Sequence, residues 1–182
     1  MASRSRTEFQ PKYLRKIKPT RGVRPVGEVF AMAFGDVGYL FGRVIRNDCA
    51  VDAMSTPRPW ERSPGCYLVY IYRTPSPKME AVPPLRRADL LIAPAMIIGA
   101  GWSRGYFAPV RQDTLAAEDV LPVHCFWNDT QLVNGKPAVQ YVDEYGNLLR
   151  RKVEPCGEHG VGSFGSVEID VARALGLPYE DA

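Results

Sequence analysis

Two histidines and four cysteines leave nucleophilic or metal chemistry few places to sit in this chain. Cys125 or Cys156, with His124 or His159 as base, would supply a nucleophilic pair. The same residues are the candidates for a soft metal site. Cys156 and His159 are three apart, His124 and Cys125 are adjacent, and Glu154 and Glu158 flank the first pair. A structural zinc site normally uses two close-spaced Cys or His pairs, and adjacent residues seldom serve a tetrahedral ion. The simpler expectation puts His124 and Cys125 in a strand, facing opposite sides. Gly160, Gly162 and Gly165 have the spacing of a dinucleotide fingerprint. That fingerprint needs a buried strand before it, a strand after its helix and an acid about 20 residues on. Residues 154–159 are polar and broken by Pro155, and only 17 residues follow Gly165. The run therefore reads as a loop delivering the chain to a last helix, whose first N–H groups are able to hold an anion. No Gly-x-Ser-x-Gly elbow occurs. No catalytic residue, metal or cofactor is assigned, and a binding protein is expected rather than an enzyme.

The elements that would position these groups are mostly strands. Val29 to Phe34 and Tyr39 to Arg46 flank Gly35-Asp36-Val37-Gly38 and predict a hairpin. Gly42 inside its second strand marks a bend or a close backbone approach. Residues 47–65 are a proline-punctuated loop. Cys66 to Arg73 is continuously apolar, as a strand buried on both faces would be. A helical turn is expected over Leu85–Leu91. Strands are expected over Ala95–Ile98, Tyr106–Val110 and Val123–Trp127, with a hairpin around Asp143–Gly146. One helix closes the chain, capped by Ser166 and stopped by Gly176 and Pro178. This pattern predicts an α+β fold: a β-rich, strongly bent sheet or small barrel with a C-terminal helix.

With 182 residues, 46% hydrophobic and 24% charged, the chain has the make-up of an ordinary globular protein. The low-charge run from Leu90 to Ser103 is 14 residues long and contains Pro94, too short and broken to span a bilayer. The net charge of +3 hides an asymmetry. Residues 1–24 carry eight Lys or Arg against one Glu, a balance of +7; residues 25–182 carry fifteen against nineteen acids, a balance of −4. A basic, partly flexible arm (1–24) is thus expected before one globular domain (25–182). Such arms bind nucleic acid by counterion release. Four cysteines without an export signal suit a reducing cytoplasm; the even count permits two bridges, but free, buried thiols are expected.

What remains is recognition. Asp36, Asp48 and Asp52 on or beyond the first hairpin, with Asp143 and Glu144, would form an acidic surface for a basic partner. Trp60, Trp102, Tyr106 and Tyr145 lie in or beside loops, where exposed aromatics anchor interfaces. These nine residues are the candidate partner-binding set.

Gly27-Glu28-Val29-Phe30-Ala31-Met32-Ala33-Phe34, a short turn, then Tyr39-Leu40-Phe41-Gly42-Arg43-Val44 resembles the signature hairpin of the immunity protein 26 family of bacterial polymorphic toxin systems. Gly27, Phe30, Ala31, Tyr39, Gly42, Arg43 and Val44 carry the likeness. Cys66 to Tyr72, Ala93 to Ile98 and Trp102 to Val110 are similar to later segments of that family, so the resemblance covers roughly residues 25–150. It implies a non-enzymatic cytoplasmic protein that binds and neutralises a cognate secreted toxin effector. A basic nuclease is one toxin that the acidic body would complement. No membrane partner is implied. The alternative is a small-barrel nucleic-acid-binding protein using the basic arm, disfavoured because the body carries negative charge.

Overall fold

The computed structural model describes residues 10–49, 66–129, 132–133 and 136–179. Asp52, Trp60, most of the 47–65 loop, residues 180–182 and the first nine residues of the arm lie outside them. Four long segments build the main sheet: β2 (Glu28–Phe34), β3 (Gly38–Arg46), β4 (Cys66–Ser76) and β5 (Ala95–Ile98), neighbours in that order and all antiparallel. At one edge, β1 (Leu14–Arg15) and β6 (Phe107–Gln112) lie one after the other along β2. At the other, β12 (Val161–Gly162) pairs parallel with β5. Register shifts between Val29 and Phe30 and between Val44 and Arg46 bend the sheet into a strongly curled half-barrel. The predicted β-rich α+β fold with a closing helix is what forms.

Alternation along each strand feeds two cores. Phe30, Met32, Phe34, Leu40, Val44, Tyr67, Val69 and Ile71 line one face. Val29, Ala31, Phe41, Ile45, Leu68, Tyr70 and Tyr72 line the other. That double burial is why β4 reads as an unbroken apolar run. Gly42 permits it: a Cβ there would strike the Phe30 ring and sit 2.8 Å from Ile71 Cδ1. At the hairpin tip Gly38 has φ 96°, and a Cβ would lie 2.8 Å from the Ser76 carbonyl oxygen.

The first face is covered by α2 (Phe164–Ala174), which buries Phe164, Val167, Glu168, Val171 and Ala172 at helical spacing. The helix begins one turn earlier than the sequence suggests. Ser163 is the N-cap, accepting the Gly165 N–H at 3.2 Å, and Ser166 answers by accepting the Ser163 N–H at 2.9 Å. It ends as expected at Gly176, φ 67°, with the Leu177 N–H returning to the Ala172 carbonyl at 2.8 Å.

The second face is covered by a small sheet, β10 (Gln140–Val142), β7 (Cys125–Asn128) and β11 (Cys156–Glu158), together with the segments around Leu85–Leu90 and Leu115–Leu121. The remaining elements are a two-stranded ribbon, β8 (Leu132–Val133) with β9 (Lys136–Pro137), and a short turn, α1 (Ala100–Ser103). The turn expected over Leu85–Leu91 shrinks to Arg87–Asp89.

From residue 10 on, the basic arm is laid against this body rather than loose in solvent. Glu168, fully buried on α2, accepts the N–H groups of Tyr13 and of Leu14, the latter at 2.8 Å, and the Tyr179 hydroxyl at 3.1 Å. The Ile17 N–H reaches the Gly105 carbonyl at 2.7 Å and the Thr20 N–H the Trp102 carbonyl at 2.8 Å.

Candidate functional site

Three chain segments converge at the end of β3 beside the small sheet. Arg46 ends β3 and turns its guanidinium toward Asp48 (3.7 Å) and Glu144 (3.6 Å). The turn after β10 delivers Asp143, Glu144 and Tyr145. The segment leading into β7 delivers His124. Sequence builds this turn locally: the Asp143 carboxylate accepts the N–H groups of Tyr145 (2.9 Å) and Asn147 (2.8 Å), an Asx turn that holds Glu144 inward and Tyr145 outward. The Arg46 guanidinium then lies 4.8 Å from the Tyr145 ring centroid, a cation–π contact.

Beneath this surface runs a relay of buried polar groups. Tyr70, inside β4, accepts the Leu121 N–H at 2.9 Å, and its hydroxyl stands 2.7 Å from His124 Nε2. His124 Nδ1 stands 3.0 Å from Glu144 Oε1. His124 thus bridges the two, sharing a hydrogen bond with the Tyr70 hydroxyl through Nε2 and donating to the carboxylate through Nδ1. Burial works to raise Glu144, but the hydrogen bond and charge of His124, with Arg46 beyond, outweigh it and hold the carboxyl below its ordinary value. Burial pushes the Tyr70 hydroxyl up to about 12, against the pull of the Leu121 N–H. A fully buried phenol so hard to ionise is a poor nucleophile, and the relay acts as a strut that fixes the orientation of Glu144. A second ion cluster braces the same face of β3. Arg43 is buried between Asp113 (3.1 Å) and Asp119 (3.3 Å), and Arg111 shares Asp113 at 2.8 Å.

The resulting surface is a shallow concavity of about 350 Å³ lined by Arg46, His124, Glu144, Tyr145 and Leu149. Val123, 38% exposed, lines it too, and Leu148, 67% exposed, stands beside Leu149. Four of the sequence candidates, Asp48, Asp143, Glu144 and Tyr145, are brought together here. Asp36 is not. It sits exposed at the hairpin tip, at the opposite end of β3 from Arg46.

Trp102 and Tyr106 require correction as surface anchors. Trp102 is 1% exposed, with its ring against Phe30 (4.9 Å), Phe107 (5.1 Å) and Tyr67 (5.5 Å). Tyr106 is 7% exposed and stacks on Phe164 at 4.6 Å. The α1 turn rolls both inward, because the face of the sheet between β6 and α2 needs large rings to fill it.

The chemistry weighed for Cys and His takes a different form. Cys156 faces Cys125 across the β7–β11 pairing, whereas His159 is held by its N–H on the Trp127 carbonyl (2.8 Å). Cys125 begins β7 with His124 just before it, and both are buried. Among the described residues, no group of three or more His, Cys, Asp or Glu gathers as metal ligands. Nor is any helix among them long and apolar enough to cross a membrane. The glycine run supplies β12 and the first turn of α2. Arg46 and Tyr70 escaped sequence reasoning as site residues, and His124 stood out only as a base or metal ligand; the available signal was that a tyrosine inside a doubly buried strand must find a partner for its hydroxyl.

No curated protein and no solved structure matches the chain. The profile of the immunity protein 26 family matches residues 25–134, which is more than half of the chain and includes Arg43, Arg46, Tyr70 and His124. The chain belongs to the immunity protein 26 family.

Proposed function

We propose that this protein binds a cognate toxin and blocks it by occlusion, through the face formed by Arg46, Asp48, Asp143, Glu144 and Tyr145. Immunity proteins as a class act by binding rather than by turnover. The observation that carries the assignment of the face is the convergence of separate chain segments on one braced surface. Charged groups (Arg46, Asp48, Asp143), an aromatic (Tyr145) and exposed aliphatics (Val123, Leu148) surround a concavity whose floor is fixed by the Tyr70–His124–Glu144 relay. A surface with an aromatic–arginine centre and a polar surround is the make-up of a binding hot spot. The acidic members, with a body balance of −4, suit a basic toxin such as a nuclease.

The test is calorimetric titration with the toxin encoded beside this gene. A 1:1 complex is expected, with at least a tenfold weaker Kd for Tyr145→Ala and for Arg46→Ala. Asp36→Ala, at the far end of β3, leaves the affinity unchanged. Full affinity in both site variants refutes this placement, and no complex at all refutes the reading.

A second reading attaches to the basic strip. Lys12, Arg15, Lys16, Lys18 and Arg21 are exposed on a segment pinned alongside Arg104. An ordered line of cations suits a nucleic-acid backbone. Anisotropy with a short oligonucleotide should then show binding that weakens steeply with salt and vanishes when the five are replaced by Ser; no binding at low salt ends this reading.

A further inference from the structure

The four cysteines are not scattered. Cys49 and Cys66 neighbour each other, both fully buried, and the contact with Cys66 and burial together push the Cys49 thiol up. Cys125 and Cys156 are direct partners on the parallel strands β7 and β11, and their Sγ atoms are 2.9 Å apart. A disulfide needs an S–S length of about 2.05 Å and Cα atoms about 4.4–6.8 Å apart. Paired strands lie about 4.8 Å apart, so the backbone already meets the second condition, and the sulfurs need to close by about 0.9 Å. Access is one-sided. Cys125 is fully buried, whereas Cys156 is half-buried and lines a cleft of about 610 Å³ between α2 and the ends of β5 and β11.

We propose that Cys125 and Cys156 form a reversible dithiol–disulfide couple, with Cys156 as the attacking thiol and Cys125 as the resolving one, driven by a low-molecular-weight disulfide. The Cys156 thiol loses its proton to solvent and its sulfur attacks one sulfur of the small disulfide. That S–S bond breaks, one small thiolate leaves, and a mixed disulfide stands on Cys156. The Cys125 thiol then loses its proton and its sulfur attacks the Cys156 sulfur. The second small thiolate leaves, and both thiolates take up the protons released. One disulfide is consumed, two small thiols form, and the protein loses two hydrogens; excess small thiol reverses each step. Burial and the neighbouring Cys125 hold the Cys156 thiol up to about 12, so the first attack quickens about tenfold per pH unit across the neutral range. The link closes the 31-residue separation that carries the Asp143–Tyr145 turn. The chemistry stands independently of what that turn binds.

The full-length protein is equilibrated with graded mixtures of reduced and oxidised glutathione, free thiols are alkylated, and peptides are mapped by mass spectrometry. The expected product is a monomer with Cys125 and Cys156 peptides joined and two hydrogens lighter, returned to dithiol by reduced glutathione. Cys125→Ser should trap glutathione on Cys156, whereas Cys156→Ser should leave Cys125 without glutathione. A stable glutathione adduct on Cys156 of the unmodified protein overturns the proposal, as does a Cys125–Cys156 pair that stays fully alkylatable at every ratio. Because the joined peptide is read on the unmodified protein, the result stands even where a variant fails to fold.

Discussion

Glu168 offers the sharpest test of how the molecule is held together. Its carboxylate is wholly inside the protein, yet it accepts two main-chain N–H groups from residues 13 and 14 and a hydroxyl from Tyr179. A hydrogen bond to a charged acceptor contributes about 1.5–3 kcal/mol, and a buried donor left alone costs about 1–3 kcal/mol. These terms overlap, so Glu168→Ala should lose about 3–5 kcal/mol. Glu168→Gln retains one acceptor oxygen and should lose about 1–2 kcal/mol by the same reckoning. For a chain of this size each kcal/mol is worth about 2–4 °C, which puts the Ala variant about 6–20 °C lower in Tm. Urea denaturation followed by circular dichroism gives the free energy. Hydrogen exchange at Leu14 locates it, because the amide should be slow in the parent and fast in the Ala variant. Glu118→Ala, an exposed acid, should stay within about 0.5 kcal/mol of the parent. A loss under about 1 kcal/mol, with Leu14 exchange still slow, would refute the argument that this carboxylate docks the basic strip.

Other outcomes follow from the same reasoning. Gly42→Ala puts a methyl group into the Phe30 ring and against Ile71, and should cost about 1–3 kcal/mol or more by urea denaturation. Glu144 has a folded pKa below its ordinary value of 4.5, so its contribution is complete above that value and is lost as pH falls below it; Glu144→Gln should flatten the acid limb of a stability–pH profile in that window. The Cys125–Cys156 disulfide closes a separation of 31 residues and should raise stability by about 3.7 kcal/mol in the chain-entropy account, with slower hydrogen exchange over residues 143–147 in the oxidised protein.

The parts of the fold legible in the sequence are those set by local chemistry. The Gly35–Gly38 reversal, the unbroken apolar run of β4, Ala95–Ile98 and the Gly176 stop each depend on neighbouring residues, and each forms where expected. β1, β11 and β12 did not announce themselves. They are two or three residues long, polar or glycine-containing, and exist because a distant strand edge pairs with them. The site divides the same way. Asp143, Glu144 and Tyr145 stood out as loop acids and an aromatic, but their meeting with Arg46, Tyr70 and His124 depends on how the small sheet docks on the large one. Trp102 and Tyr106 show the reverse error: a large ring beside a loop signals packing as readily as recognition when that loop rolls over an open sheet face.

The rims of the main sheet bear on how this protein meets others. A row of unpaired main-chain amides invites a foreign strand, and here such rows are short or blunted. β1 and β12 are two residues each; β6 carries Pro109, which has no N–H to offer, and the charged Arg111 beside it. An incoming polypeptide therefore finds little to zip onto, and copies of the chain find little to stack on one another. Selectivity falls to side-chain chemistry on curved faces, which changes residue by residue without disturbing the scaffold, and such faces can diversify while the underlying sheet stays constant.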